Sequence, residues 1–147
     1  MSDLEEKILK EYVYTGMIFP VTLKSVKMVK HENEWCPVID DIAIANEWIK
    51  KIGGSDKRIT GNQLKFIRSY FKMSLRQFSE IVNESHTAVA KWEKVGNGIA
   101  KMDLNIEKII KMYICREAMK DVGDKTLMKI FNKILDFHPK NLKFAHS

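Results

Sequence analysis

Residues 74–93 read SLRQFSEIVNESHTAVAKWE, and this stretch predicts two short helices joined by a tight turn. Ser74 and Gln77 have the spacing of a capping box, in which two side chains satisfy free N–H groups at the start of a helix. Asn83 marks the turn, because asparagine enters the left-handed backbone region more readily than most residues. Ser85 is the predicted N-cap of the second helix. Two short helices connected in this way form a helix-turn-helix unit.

The second helix of this unit is predicted to have one apolar face and one free polar face. Four apolar positions at helical spacing define the core between the two helices: Phe78, Val82, Val89 and Trp92. At about 100° per residue, four other positions fall on the opposite side of the second helix: His86, Thr87, Ala90 and Lys91. These residues are small, polar or basic, and such a face can enter the major groove of duplex DNA.

A further helix is predicted before this unit. Thr60 and Gln63 have the spacing of a second capping box, and Leu64, Ile67 and Phe71 give the following helix an apolar face. Residues 60–94 therefore predict three short helices around a common core.

The excess positive charge of the chain lies in the same region. The 147 residues include 25 basic and 19 acidic side chains, which gives a net charge of +6. Nine of the basic and three of the acidic residues lie within 57–101, so this segment alone accounts for the imbalance. Concentrated positive charge attracts a polyanion, although a solvated basic surface without a partner is the alternative. The predicted phosphate contacts are Lys57, Arg58, Lys65, Arg76, Lys94 and Lys101.

With its flanking regions included, we expect the chain to belong to the mainly α fold class. We predict a helix over residues 3–12, one or two strands between Tyr12 and Val29, a third strand at Trp35–Ile39 and a helix over 41–52. Gly53–Asp56 has the composition of a linker. Residues 1–55 are then a small α+β module, 56–102 the helix-turn-helix domain and 103–147 a helical extension.

The extension is expected to contain two helices and a tail. The first helix has a cap at Asp103 or Asn105 and reaches about Lys120, and the second ends near Phe137, before a loose tail. The apolar stripes of these helices either close the core or form a dimer interface.

Residues 73–93 resemble the helix-turn-helix of the lambda repressor and Cro superfamily, also called the xenobiotic-response-element family. Trp92-Glu93 is the most specific part of the match. The resemblance implies base reading by His86, Thr87, Ala90 and Lys91. It also implies that Ser85 and Arg76 lie near the phosphate backbone of the DNA, and that Arg68 and Glu93 form an ion pair. The chain departs from the pattern at four places: Leu75 instead of glutamine, Ser79 instead of alanine, Asn83 instead of glycine, and a longer loop after Glu93.

The layout of the whole chain is similar to that of MqsA/YgiT-type antitoxin regulators. Those proteins carry zinc on two C-x-x-C pairs, whereas Cys36 and Cys115 form no such pair here. The resemblance implies a toxin protein as a further partner, and the missing zinc motif weakens that implication.

We therefore expect a regulator that binds double-stranded DNA and represses transcription as a homodimer on a palindromic operator. Residue patterns for catalysis, a metal or a cofactor are absent, so no enzyme activity, metal or cofactor is expected. No apolar run is long enough to span a bilayer, and the acidic start is unlike a secretory signal, so cytoplasmic residence is expected. Two alternatives stay open: an antitoxin that neutralises a toxin and autoregulates its operon, and an interaction adaptor that has lost DNA binding.

Overall fold

A computed structural model of the chain describes residues 5–136. Residues 1–4 and 137–147 lie outside the described residues, and with them the predicted tail. The helix that was predicted to end near Phe137 ends at Leu135. The described part contains one three-stranded sheet and six helices, so the fold is mixed α/β. The elements are β1 (Glu6–Tyr14), β2 (Val21–His31), β3 (Glu34–Pro37), α1 (Asp41–Gly54), α2 (Gly61–Tyr70), α3 (Leu75–Val82), α4 (His86–Lys94), α5 (Leu104–Ala118) and α6 (Asp124–Leu135).

The chain divides into two compact units, Met1–Ala45 and Asn46–Ser147. The division falls within α1, whereas the sequence placed a linker at Gly53–Asp56. That expectation is wrong for the two glycines, because both belong to the last turn of α1 and Gly53 is buried. Helix α5 contacts α3 within the second unit.

The first unit contains the antiparallel sheet, with strand order β1-β2-β3. Glu32 and Asn33 connect β2 to β3 with φ angles of 50° and 66°, the backbone region that a two-residue hairpin turn requires. This turn lies between the two predicted strand regions, after Val29 and before Trp35.

The predicted helix over residues 3–12 is wrong, because Glu6–Tyr14 is strand β1. Leu4, Ile8 and Tyr12 have helical spacing, which suggested the helix. In the structure, every residue of β1 except Lys10 pairs with β2, from Glu6 opposite Val29 to Tyr14 opposite Val21. Pairing with a partner strand overrides local spacing here, as is common for β structure.

The second unit is built around the apolar faces of α2, α3 and α4. Helix α4 contacts both α2 and α3, and α5 contacts α3 and α6. The central side chains are almost completely buried: Leu64, Ile67, Phe78, Val82, Val89, Ile110 and Ile114. Among residues 5–136, no helix is long and apolar enough to cross a membrane.

The packing of α1 against α5 requires glycine at position 53. A Cβ at Gly53 would lie 2.6 Å from Cγ2 of Ile114, whereas a Cβ at Gly54 would meet no atom within 4 Å. Ile114 is fully buried and branched at Cβ, so it cannot easily move aside.

We expect Gly53→Ala to lower the free energy of unfolding by about 1–3 kcal/mol, because the added methyl group overpacks the contact with Ile114. Gly54→Ala is the matched control and should not lower it, since alanine favours a helix and has room there. Urea denaturation followed by circular dichroism measures both. Equal stability of the two variants would contradict the close approach.

Candidate nucleic-acid interface

Both predicted capping boxes are present. At the start of α3, the backbone N–H of Gln77 donates to Ser74 Oγ at 3.1 Å, and the backbone N–H of Ser74 donates to Gln77 Oε1 at 2.9 Å. Thr60 and Gln63 make the same two bonds at the start of α2, each 3.0 Å long. These reciprocal bonds fix where the two helices begin.

Three residues join α3 to α4. Asn83 ends α3 in the left-handed region, with φ 56° and ψ 47°. The backbone N–H of Glu84 donates to the carbonyl of Ser79, and the backbone N–H of Ala88 donates to Ser85 Oγ at 3.1 Å. Side-chain and backbone bonds thus define the turn on both sides, at the positions that the sequence predicted.

Helix α4 has one buried and one exposed side. Val89 is fully buried against the neighbouring helices, and Glu93 is 8% exposed. On the other side, His86, Thr87 and Lys91 are exposed, and Ala90 is half-buried. The structure therefore brings the four predicted base-reading residues onto one accessible face of a single helix.

An ion pair between Arg68 and Glu93 connects α2 to α4, as the family resemblance implies. Arg68 Nε donates to Glu93 Oε2 at 2.8 Å, and Nη2 donates to Oε1 at 3.0 Å. Nη1 donates to the carbonyl of Met73 at 3.2 Å, just before α3 begins. The hydrogen bond that Arg68 donates to the Glu93 carboxylate raises the pKa of Arg68 above its ordinary value. One planar guanidinium group therefore links all three helices in a fixed orientation.

The loop after α4 folds back onto the start of α2, a path that the sequence did not predict. The backbone N–H groups of Gly61 and Asn62 donate to the carbonyls of Gly98 and Gly96. Asn62 Nδ2 also donates to Asn97 Oδ1 at 2.9 Å. The N–H groups at the start of α2 are therefore bonded to carbonyls of the protein itself, and these N–H groups are not available to an anion.

Glycine at position 61 allows α2 and α4 to meet at this point. A Cβ there would lie 2.6 Å from the carbonyl oxygen of Trp92 and 2.8 Å from that of Glu93. These are backbone atoms and cannot rotate away, so the start of α2 lies directly against the end of α4.

The predicted phosphate contacts are exposed, with one exception. The exposed residues are Lys57, Lys65, Arg76, Ser85, Lys94 and Lys101. Arg58 is the exception, because its side chain is only 10% exposed. Its Nε donates to Glu107 Oε1 at 2.8 Å and its Nη2 to the carbonyl of Met102 at 2.8 Å. The prediction that Arg58 contacts phosphate is therefore wrong, since the guanidinium group is used inside the protein.

Arg58 belongs to a buried charge cluster, formed with Glu107 and Lys111, that the sequence analysis missed. Glu107 and Lys111 of α5 are both fully buried. Lys111 Nζ donates to the carbonyls of Ser55 at 2.6 Å and Lys57 at 2.9 Å. Glutamate and lysine four residues apart are typical of an ion pair on the exposed face of a helix. The spacing of Glu107 and Lys111 by itself therefore favours a position at the surface. The cluster attaches α5 to the segment that leads into α2.

Burial shifts the pKa values of two members of the cluster in the direction of the neutral forms. Burial raises the pKa of the Glu107 carboxyl above its ordinary value, although the hydrogen bond from Arg58 opposes this shift. Burial also lowers the pKa of Lys111 to about 8, against the attraction of Glu107 and Asp56. Glu107 Oε2 is buried without a hydrogen-bond partner, which adds to the cost of keeping this carboxylate charged.

Comparison of the chain with protein-family models, with curated proteins and with solved structures found no significant match.

We expect the pKa of Lys111 to be visible in the pH dependence of stability. The folded pKa of about 8 lies below the ordinary lysine value of 10.5. Between these pH values the unfolded chain binds more protons, so the free energy of unfolding rises with pH by up to about 1.4 kcal/mol per pH unit.

Urea denaturation between pH 8 and pH 10 tests this expectation. The wild-type protein should gain stability relative to Lys111→Met as the pH rises, because only the wild type has this titrating group. Lys108→Met, a half-exposed lysine on the same helix, should show no such divergence from the wild type. A constant difference between wild type and Lys111→Met would contradict the lowered pKa.

Proposed function

We propose that this protein is a transcriptional regulator that binds double-stranded DNA in a sequence-specific manner by placing α4 in the major groove. The observation that carries the proposal is the exposed polar face of α4, formed by His86, Thr87, Ala90 and Lys91. A single α-helix fits the major groove, where every base pair presents a distinct set of donors and acceptors. The proposal assigns the protein to the helix-turn-helix class that residues 73–93 resemble.

The fixed orientation of α4 supports this function. Val89 lies in the core, Ser85 caps the start of the helix, and the Arg68–Glu93 ion pair ties the end of the helix to α2. A helix that is ordered before it binds loses little conformational freedom on binding. Its exposed side chains can then meet base edges with a defined geometry.

Each residue on the exposed face has a role that its chemistry supports. Lys91 can donate to O6 and N7 of guanine. His86 can hydrogen-bond to a base edge, and Thr87 offers both a hydroxyl and a methyl group, the latter suited to the methyl group of thymine. Ala90 has no bulk that would hold the helix away from the bases.

The surface charge of the same region supports attraction to the DNA backbone. Within residues 57–101, seven basic side chains are exposed: Lys57, Lys65, Lys72, Arg76, Lys91, Lys94 and Lys101. Only Glu80 and Glu84 are exposed acidic residues in this segment. Contacts from Lys65, Arg76, Ser85, Lys94 and Lys101 to phosphates would position the protein on the duplex without reading its sequence.

The proposed active form is a homodimer on a palindromic operator, which occludes the DNA from polymerase or an activator. Two copies of α4 would then enter major grooves about one helical turn apart, roughly 34 Å. Selection of DNA from a random pool by the purified protein tests the whole proposal. A motif with two-fold symmetry is expected, and recovery of random sequence would overturn sequence-specific binding.

We expect Lys91→Ala to remove the preference for one base at a symmetric pair of positions in the selected motif. The loss of a donor to guanine should weaken binding to the selected site by about 1–3 kcal/mol. Fluorescence anisotropy with the selected duplex and its single-base variants measures this. Lys129→Ala on α6 is the control, because it removes an exposed lysine far along the chain from α4. An unchanged base profile in Lys91→Ala would exclude Lys91 from base reading.

A phosphate-contacting residue should behave differently. We expect Lys101→Ala to weaken binding to all duplexes by a similar factor and to reduce the slope of log K against log salt by about 1, since one fewer counterion is released. Titrations over a range of salt concentrations give the slope. A change in base preference without a change in slope would place Lys101 at the bases instead of the backbone.

A further inference from the structure

We propose that two copies of this protein join through the outer edge of β1, which pairs with the same edge of a second copy in antiparallel orientation about a two-fold axis at Ile8. The two three-stranded sheets then form one six-stranded sheet. The inference deepens the proposed function, on which it rests for the biological role of the dimer, because it assigns the dimer interface to the first unit.

The outer edge of β1 has backbone groups that point away from the sheet. The carbonyl of Glu5 accepts a hydrogen bond from the backbone N–H of Lys30, so Glu5 faces β2. Bonding alternates along an antiparallel strand, which places Glu6, Ile8 and Lys10 with their N–H and C=O groups directed outward. Among residues 5–136, no strand pairs with this side of β1.

The side chains of the same three residues favour association with a second copy. Ile8, the middle one of the three, is a large apolar residue and is 71% exposed. Glu6, Ile8 and Lys10 alternate along β1 and share one face of the sheet. Pairing centred on Ile8 would set the two isoleucines opposite each other and remove part of both from water.

Charge complementarity selects this register. In an antiparallel pair centred on Ile8, Glu6 of each copy lies opposite Lys10 of the other copy, so the dimer has two pairs of opposite charges. A register shifted by one residue would need outward bonds from residues that already face β2. A shift by two residues places Ile8 opposite Lys10 and Glu6 opposite Tyr12, so neither charge meets an opposite charge. Of the outward-directed residues of β1, the register centred on Ile8 pairs Glu6, Ile8 and Lys10 with their counterparts.

The arrangement of charges along β1 favours pairing with the β1 strand of a second copy over pairing with other strands. Lysines on an edge strand usually discourage pairing with other chains. Here Glu6 and Lys10 are equidistant along the strand from Ile8, so a two-fold axis brings each Lys10 to a Glu6 carboxylate. That carboxylate already lies 3.0 Å from Lys27 Nζ of β2, and its two oxygens can accept from a second lysine. A foreign strand without this pattern would leave the lysines unmatched. The occupant that fits is therefore a second copy of this chain.

The first test measures mass by sedimentation equilibrium over a series of concentrations. The wild-type protein should approach twice its 17.1 kDa mass. Ile8→Lys should remain a monomer, because two like charges would face each other at the axis. Ile42→Lys is the matched control, since Ile42 is 75% exposed on α1 and lies outside the sheet, and this variant should still form dimers. A wild-type monomer, or a dimer of Ile8→Lys, would overturn the proposal.

The second test exchanges the charges. Glu6→Lys and Lys10→Glu should each be monomeric, because each places like charges opposite each other. A mixture of the two variants should form a heterodimer, since a strand with two basic residues then meets a strand with two acidic residues. Circular dichroism of each variant verifies that the exposed substitutions leave the fold intact. Failure of the mixture to associate would overturn the register and with it the interface.

The outcome of these two dimerisation tests does not depend on whether the protein binds DNA. A dimer that responds to these substitutions but selects no DNA motif would overturn the proposed function and support the interface. A protein that selects a symmetric motif while Ile8→Lys still forms dimers would support the function and overturn the interface.

Discussion

The bidentate ion pair between Arg68 and Glu93 is the interaction on which the candidate interface depends. Its two hydrogen bonds, 2.8 and 3.0 Å long, join α2 to α4, and a third bond from Arg68 reaches the residue that precedes the cap of α3. A partly buried ion pair contributes little net stability, because the charges lose solvent, but its planar geometry permits few arrangements. The pair therefore sets the direction of α4 more than it stabilises the fold. The exposed face of α4 therefore has a fixed orientation relative to α2 and α3.

Internal pairing also decides which basic residues can meet a partner. Arg58 and Arg68 are both turned inward, toward Glu107 and Glu93 respectively. The exposed charge of residues 57–101 consequently comes mainly from lysines, with Arg76 as the exposed arginine. Lysine is a flexible point charge, suited to phosphates at variable positions, whereas arginine is suited to a fixed planar acceptor. Two arginines therefore form internal ion pairs, and lysines supply most of the exposed positive charge of this segment.

The buried charge cluster extends this organisation to α5. Lys111 donates to two backbone carbonyls in the segment between α1 and α2, and Glu107 accepts from Arg58 in the same segment. The cost of burying these charges is offset only because each has specific partners. Helix α5 is therefore part of the same packed body as the three helices of the candidate interface. Rearrangement of α5 would have to break these bonds first.

The sequence alone determined the features that depend on neighbouring residues. The two capping boxes, the left-handed Asn83 and the exposed face of α4 follow from signals within a few positions of each other, because helix starts, turns and helical faces are local properties. Tertiary structure decided the rest. The segment at Glu6–Tyr14 became a strand because β2 pairs with it. Gly53 lies in the last turn of α1, where the absence of a side chain leaves room for Ile114. Arg58, a surface cation by its sequence context, turned inward because a carboxylate 49 positions away lies within hydrogen-bond distance. Such contacts join residues far apart in the chain, so no local pattern records them.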